Sequence, residues 1–266
     1  MNKIIGFIGC GNMGSAMVGG IINSGLVDSI NIIASCKRES SAKNLEEKFN
    51  IKTTLNNAEV CKSSDIIFLA VKPYMYKDVI EKIKDYIDDT KIIVTIAAGI
   101  TIAQVEEWFN KKVKIVKTMP NTPALVGEAM TAICANKNIK NDELNIVIDI
   151  FNSFGKSEVL EEKYFHAFTA LCGSSPAYVY MFIESMADAA VKQGLPRDKA
   201  YKMASQAVLG SAKMVLETGE NPGKLKDNVC SPGGTTIEAV IELERQGFRN
   251  AVISAIEKCE EKSKSM

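Results

Sequence analysis

The sequence contains one histidine, His166, and its seven cysteines include no C-x-x-C pair. Structural zinc sites and disulfide frameworks are built from clustered cysteines and histidines, so neither is indicated and we expect no bound metal. We interpret the cysteines as reduced thiols that serve mostly as small core residues. They are scattered along the chain as Cys10, Cys36, Cys61, Cys134, Cys172, Cys230 and Cys259.

Long apolar runs and an excess of charge of one sign are missing as well. No run approaches the roughly 18 apolar residues that a membrane-spanning helix needs. The opening MNKIIGFIGCG leads into a strand without the apolar segment and cleavage site of a signal peptide. The 32 basic residues balance 32 acidic ones, which leaves no positive field for nucleic acid or an anionic membrane. We therefore expect a cytoplasmic protein whose partner is a small molecule.

A chain of 266 residues, 46% of them hydrophobic, can form two domains. In the first ~160 residues, short β-branched runs alternate with amphipathic stretches, which is typical of a parallel sheet covered by helices. The predicted strands are residues 3–8, 30–34, 66–71, 92–96, 113–118, 130–134 and 157–160, and the predicted helices are residues 15–24, 41–49, 76–86, 102–109 and 142–154. The expected fold class is α/β, with a Rossmann-type domain at residues 1–162.

Residues 163–266 are predicted to form an all-α domain. Its helices are expected to begin near Ser175, Pro196, Thr235 and Arg249, the first with Ser175 as N-cap and Pro176 in its first turn. Their apolar faces are wide and rich in alanine and methionine, and they exceed what ~100 residues can bury alone. We expect this domain to form a dimer interface.

A glycine pattern, Gly9-x-Gly11-x-x-Gly14, stands directly after the first strand and before the first helix in KIIGFIGCGNMG. In this context it is the fingerprint of a dinucleotide site. Gly9 allows the tight turn, Gly11 lets the backbone approach a pyrophosphate, and Gly14 lets the helix pack on the strand. The N–H groups at the start of the helix then face the anion. A glycine-rich turn in an unrelated α/β fold is the alternative.

The choice between NADPH and NADH depends on the segment ASCKRES, which follows the second strand. A carboxylate there would accept the ribose hydroxyls of NAD, but the segment has Ser35, Lys37 and Arg38 with no acid before Glu39. Two cations suit a 2′-phosphate, so we expect NADPH to be preferred. If Lys37 and Arg38 are only a solvated loop, NADH stays open.

Six segments together resemble the pyrroline-5-carboxylate reductase family from end to end: FIGCGNMG, AVKP, AAGIT, MPNTPALVGEAMT, GSSPAYVYMFIESMADAAV and VCSPGGTTIEAV. The last is highly specific for that family, whereas many dehydrogenases share the first. The resemblance implies an oxidoreductase that reduces 1-pyrroline-5-carboxylate to L-proline with NAD(P)H, the last step of proline biosynthesis. It also implies that residues 163–266 form a helical dimerisation and substrate domain. The protein would then be a homo-oligomer built from interlocked homodimers, which often associate further into homodecamers.

The resemblance also implies the site residues. Cofactor contacts fall on Ile8, Gly9, Cys10, Gly11, Asn12, Met13, Ser35, Asn57, Ala70, Val71, Lys72, Pro73, Ala97, Ala98, Gly99 and Asn228, to which the sequence pattern adds Gly14, Lys37 and Arg38. Substrate contacts fall on Glu162, Ser231, Gly233, Gly234, Thr235 and Thr236. The loop that holds Lys37 and Arg38 varies in the family, so the resemblance does not decide between NADPH and NADH.

The segment CSPGGTTIE offers a place for the substrate carboxylate. Thr235-x-x-Glu238 has the spacing of a capping box, which predicts a helix start at Thr235 or Thr236. Gly233 and Gly234 would expose backbone N–H groups where the helix dipole is positive. We expect Thr236 to be the catalytic residue, because its hydroxyl could donate to the imine nitrogen or guide a proton toward it. Solvent or an already protonated iminium would supply that proton.

Two other functions compete with this interpretation. A β-hydroxyacid dehydrogenase shares the FIGxGxMG fingerprint but uses a lysine on a second-domain helix. The corresponding helix here has no lysine before Lys192, and Pro196 stands four residues later, where that chemistry needs an amide or acid. A non-catalytic NAD(P)-binding sensor would lack the glycine-rich anion loop. We interpret His166, in the apolar run YFHAFTAL, as a structural residue.

Overall fold

The computed structural model describes Met1 and residues 3–265. The chain divides into two compact units, an N-terminal unit of Met1–Gly173 with Glu260–Met266 and a helical unit of Ser174–Cys259. The division falls later in the chain than the predicted boundary after residue 162, which stays a prediction. Among the described residues, no helix combines the length and apolar character that crossing a membrane requires.

The N-terminal unit is built on an eight-stranded sheet in the order β3-β2-β1-β4-β5-β6-β7-β8. The strands are β1 Ile5–Ile8, β2 Ile32–Ser35, β3 Lys52–Thr54, β4 Ile66–Leu69, β5 Ile92–Thr95, β6 Lys114–Met119, β7 Ala129–Ala135 and β8 Gly155–Val159. Neighbouring strands pair in parallel except β6 and β7. Residues 120–128 are too short for the crossover that a parallel pair needs, so β7 runs back beside β6. The predicted α/β class with a mostly parallel sheet is confirmed.

Helices of this unit cover both faces of the sheet. They are α1 Asn12–Asn23, α2 Glu39–Phe49, α3 Asn57–Ser63, α4 Tyr76–Ile83, α5 Ile102–Phe109, α6 Asn141–Asn152 and the short α7 Phe165–Phe168. On one face, Phe7 and Phe68 stack with ring centroids 4.8 Å apart, and Phe151 of α6 packs against Phe68. On the other face, Ile67 packs into a cluster that includes Ile80 of α4. Successive strand residues thus enter opposite cores, as the alternation of side chains in a strand requires.

The helical unit contains α8 Ser175–Lys192, α9 Arg197–Thr218, α10 Pro222–Val229, α11 Thr235–Arg245 and most of α12 Phe248–Lys264. The described residues that are buried within this unit are three small alanines, Ala187, Ala200 and Ala204. Larger apolar side chains lie exposed, among them Met181 and Leu216, which are 66% and 83% exposed. The unit by itself therefore has little hydrophobic core.

Four elements do not appear among the sequence predictions, and the four-residue helix α7 is one of them. β3 has only the residues Lys-Thr-Thr, half-exposed at the sheet edge, so it carries no buried apolar run. α3 is seven residues long and buries Val60 and Cys61 alone. α10 buries none of its side chains, so it lacks the apolar stripe that marks a helix in a sequence.

Candidate active site

The glycine-rich turn follows β1 directly and leads into α1. Gly9 has φ +75°, in the left-handed region, and its N–H donates to the Ser35 carbonyl at 3.1 Å. A Cβ at Gly9 would lie 2.6 Å from Cγ1 of Val71, so any larger residue would clash as well as strain the backbone. Gly11 is the N-cap of α1, and a Cβ there would meet nothing within 4 Å. The space above Gly11 is therefore open to a ligand that approaches the backbone.

A cleft of about 780 Å³ opens at the carboxyl edge of the sheet, beside this turn. The sequence-predicted cofactor residues that line it are Gly9, Cys10, Gly11, Asn12, Met13, Gly14, Lys37, Ala70, Val71, Lys72, Pro73, Ala97 and Ala98. The carboxyl ends of parallel strands meet at one edge, which explains why segments so far apart in the chain lie together. Their contact with a cofactor stays a prediction.

Other residues of the cleft do not appear in the predicted set. They are Ala16, Cys36, Ser41, Met75, Ile96, Met119, Pro120, Thr122 and Leu125. Several come directly after β2, β5 or β6, so the rule that ligands bind at the carboxyl ends of parallel strands could have found them. Cys10 and Cys36 belong to this cleft, and burial raises the pKa of the Cys10 thiol to about 12. A neutral thiol adds no negative charge where a pyrophosphate would lie.

The remaining predicted cofactor residues of the N-terminal unit do not line the cleft. Ile8 is 0% exposed, and Ser35 is buried with its hydroxyl 3.4 Å from the Phe7 carbonyl oxygen and from the Gly9 nitrogen. Ser35 therefore contacts the backbone of the glycine-rich turn from the buried side, and not from the cleft. The others lie in turns and helix starts: Arg38 directly before α2, Asn57 at the first position of α3, and Gly99 at φ +77° after β5.

Glu162 lies in a 3-10 turn, Glu162–Tyr164, and its carboxylate has two partners. Oε1 accepts from the Ile102 N–H at 2.9 Å and from Lys117 Nζ at 3.0 Å. The Lys117 side chain is 9% exposed, that of Glu162 is 32% exposed, and Nζ lies 4.7 Å from the ring centroid of Phe165. Glu162 thus connects the start of α5 to β6. Its predicted contact with substrate stays a prediction.

The glycine-rich loop of the helical unit precedes α11. Gly233 has φ +69°, and the Gly234 N–H donates to the Ser231 carbonyl at 3.0 Å, which closes a tight turn. Ser231 and Thr235 are exposed, whereas Thr236 is half-buried. The predicted helix start at Thr235 agrees with the structure. Asn228 is exposed on α10, which ends just before this loop.

The predicted capping box at this helix is wrong. The N-cap is Gly234, and no side chain of the described residues caps the helix. Thr235 is therefore the first helical residue and not the N-cap, which makes Glu238 the fourth helical residue. A capping box needs the glutamate at the third helical position, so the reciprocal bond cannot form. As a result, the first N–H groups of α11 lack a side-chain acceptor, which leaves them available to an anion.

The helix cap predicted at Ser175 is also wrong, by one residue. α8 begins at Ser175 and its N-cap is Ser174, which makes no capping bond to the described part of α8. The Ser174 hydroxyl instead accepts from Cys259 Sγ at 3.1 Å. Pro176 lies in the first turn, as predicted. His166 Nδ1 lies 2.9 Å from the Ser263 hydroxyl, a contact that suits the structural interpretation of this histidine.

Comparisons with known proteins cover both halves of the chain. The family described as pyrroline-5-carboxylate reductase dimerisation matches residues 162–266, and the family described as NADP oxidoreductase coenzyme F420-dependent matches residues 4–99. Pyrroline-5-carboxylate reductase of Escherichia coli (strain K12) is 50% identical over 266 residues, which cover 100% of this chain and 99% of the relative.

Solved structures give the same result. The crystal structure of Plasmodium falciparum pyrroline carboxylate reductase with NADP bound matches with a TM-score of 0.90 at 38% identity, covering 99% of this chain and 98% of that one. The pyrroline-5-carboxylate reductase of Coxiella burnetii matches with a TM-score of 0.92 at 33% identity, covering 100% and 98%. The resemblance drawn from the sequence motifs is confirmed, and this α/β oxidoreductase belongs to the pyrroline-5-carboxylate reductase family.

Proposed function

We propose that the chain reduces 1-pyrroline-5-carboxylate to L-proline with NADPH, the last step of proline biosynthesis. The proposal rests on two features formed by the sequence motifs. One is the cleft beside the dinucleotide-binding turn, and the other is the N-terminus of α11, which follows two glycines and has no side-chain cap from the described residues. Relatives named pyrroline-5-carboxylate reductase match over the full length of the chain, which supports the same reaction. Bound NADPH would supply the hydride that adds to the imine carbon.

The cleft fits a dinucleotide for a physical reason. The open space above Gly11 lets a pyrophosphate approach backbone N–H groups at the start of α1, where the helix dipole is positive. Lys37 borders the cleft and Arg38 directly precedes α2, and we assign the 2′-phosphate to these two cations. This arrangement supports a preference for NADPH over NADH.

The loop before α11 fits the carboxylate of the substrate. The N–H groups of the first helical turn have no side-chain cap from the described residues, and Gly233 and Gly234 leave them uncovered by side chains. We assign the carboxylate to Ser231, Gly233, Gly234 and Thr235, with Thr236 donating its hydroxyl to the ring nitrogen. A threonine hydroxyl is too weak an acid to protonate the nitrogen alone, so its role is to position and polarise the imine. Asn228, just before this loop, would contact the nicotinamide end of the cofactor.

We also propose that residues 163–266 act as the substrate and dimerisation domain. The match to a dimerisation family and the exposed apolar side chains of α8 and α9 support a homodimer. Further assembly of dimers into homodecamers is what the family resemblance implies. A cytoplasmic location is in keeping with the seven free cysteines, which a reducing compartment preserves.

The test mixes the purified chain with NADPH and 1-pyrroline-5-carboxylate, follows the absorbance of the reduced cofactor, and measures proline by mass spectrometry. We expect proline in equal amount to the NADPH consumed. No oxidation with this imine, together with oxidation of NADPH by the keto partner of a hydroxyacid, would overturn the proposal. Sedimentation velocity at micromolar concentration tests the assembly, and a stable monomer would contradict it.

A further inference from the structure

Tyr76, the first residue of α4, is 0% exposed, and its hydroxyl lies between two backbone groups. The hydroxyl donates to the carbonyl oxygen of Leu69 at 2.5 Å and accepts from the N–H of Ile96 at 3.2 Å. Leu69 is the last residue of β4, and Ile96 follows the last residue of β5. One side-chain oxygen therefore connects the ends of two neighbouring strands.

This connection lies where direct pairing of the two strands stops. The last registered pair of β4 and β5 is Leu69 with Thr95, so the Tyr76 hydroxyl bridges the backbone groups just beyond it. The segments that follow the two strands, residues 70–73 and 96–98, both line the cleft. A buried side chain that lies outside the cleft thus connects the bases of its two walls.

The bridge is chemically fixed. Burial raises the pKa of the Tyr76 hydroxyl, so the group stays protonated at neutral pH and continues to donate. Both of its partners are backbone groups, which cannot turn away as a side chain can. If the hydroxyl is lost, the Leu69 carbonyl and the Ile96 N–H lose a buried partner, and such groups shift until they find another one.

We propose that Tyr76 is a positioning residue for the nicotinamide cofactor, which holds the 70–73 and 96–98 segments at the spacing that the bound cofactor requires. The inference rests on the proposed function, because it takes this cleft as the NADPH site. A residue that only fills the core would need the aromatic ring of Tyr76 and not its hydroxyl. The two roles therefore separate in a variant that keeps the ring.

The test compares Tyr76→Phe with Tyr74→Phe, a matched control that removes a hydroxyl from a side chain that is 82% exposed in the same connection. Amide hydrogen exchange without cofactor measures the opening of residues 70–75 and 96–101. We expect exchange there to rise about tenfold or more in Tyr76→Phe, because the substitution removes two buried hydrogen bonds that contribute about 1 kcal/mol each. No change is expected in Tyr74→Phe. Thermal unfolding of both variants checks that each chain is folded.

Cofactor binding gives the second measurement. We expect the Kd for NADPH and the KM for NADPH to rise about tenfold in Tyr76→Phe, with a smaller change in kcat. The Kd for adenosine 2′,5′-bisphosphate should change less than about twofold, because the proposed 2′-phosphate site at Lys37 and Arg38 lies outside the two bridged segments.

Unchanged exchange and unchanged NADPH affinity in Tyr76→Phe would overturn the positioning role. Equal losses of affinity for NADPH and for adenosine 2′,5′-bisphosphate would also overturn it, since they would indicate general loosening of the unit. A wild-type chain that fails to bind NADPH would contradict the proposed cofactor site. The exchange measurement would still decide whether Tyr76 holds the two segments, because it uses no cofactor.

Discussion

Lys117→Met removes one member of a nearly buried ion pair and leaves the other. The lysine side chain is 9% exposed, and its Nζ lies 3.0 Å from Glu162 Oε1. Loss of one partner from a fully buried pair costs about 3–5 kcal/mol. Glu162 is 32% exposed and keeps the Ile102 N–H as donor, so water and that bond offset part of the loss. We expect about 2 kcal/mol, since methionine retains the packing against Phe165.

The assay uses the single tryptophan of the chain, Trp108, as reporter. Trp108 lies in α5, whose first residue donates to Glu162, so its fluorescence follows unfolding of the N-terminal unit. A loss of about 2 kcal/mol lowers the Tm by about 4–8 °C for a unit of this size. The Tm of Lys117→Arg should be close to that of the wild-type chain, because arginine retains the positive charge beside Glu162.

The control is Lys43→Met, which breaks an exposed pair on α2. Lys43 and Glu47 lie 3.9 Å apart with side chains 76% and 65% exposed. Exposed helix pairs contribute about 0.3–0.5 kcal/mol, so the Tm should fall by no more than about 2 °C. If Lys117→Met and Lys43→Met lower the Tm equally, the Lys117–Glu162 pair is not the connection that we describe.

Three further variants address the proposed site. Gly11→Ala should raise the Kd for NADPH about tenfold or more, because the added methyl displaces the pyrophosphate from backbone N–H groups; calorimetric titration that gives the wild-type Kd would contradict this. Replacing Lys37 and Arg38 together by alanine should lower kcat/KM for NADPH by about 10- to 100-fold and for NADH by less than about threefold, and equal losses would refute a 2′-phosphate site. Thr236→Ala should lower kcat about tenfold or more, whereas Thr218→Ala, on α9, should not, so unchanged turnover in Thr236→Ala removes its catalytic role.

The central strands were predictable because they are buried on both faces. β1, β4 and β5 are short runs dominated by isoleucine, valine and phenylalanine, and the glycine spacing after β1 leaves few alternatives to a dinucleotide turn. β3 was not predictable in the same way, since its Lys-Thr-Thr side chains carry no apolar alternation. Edge strands with exposed polar residues have no hydrophobic pattern to read.

Some residues of the candidate site could likewise be predicted from the sequence, and others could not. Segments that follow the strands β1, β2, β4, β5 and β6 were found because these strands are parallel and their carboxyl ends lie at one edge of the sheet. Tyr76 and Lys117 were not found, because their partners are a carbonyl, an N–H and a carboxylate that only tertiary structure brings near. The capping-box error at Thr235 has a local cause. Threonine suits both the N-cap and the first turn, and only the backbone conformation of Gly234 decides between them.

The scarcity of buried side chains in the helical unit has a thermodynamic consequence. Ala187, Ala200 and Ala204 contribute too little buried area to offset the chain entropy of five helices. The match to a dimerisation family points to association with a second copy as a further source of free energy, since a dimer interface would cover apolar side chains that lie exposed in the single chain. Folding of the helical unit and association would then be one equilibrium that depends on the protein concentration. Dilution would then act on these helices as a denaturant does, while the β-sheet unit, which has hydrophobic cores on both faces of its sheet, would not respond to it.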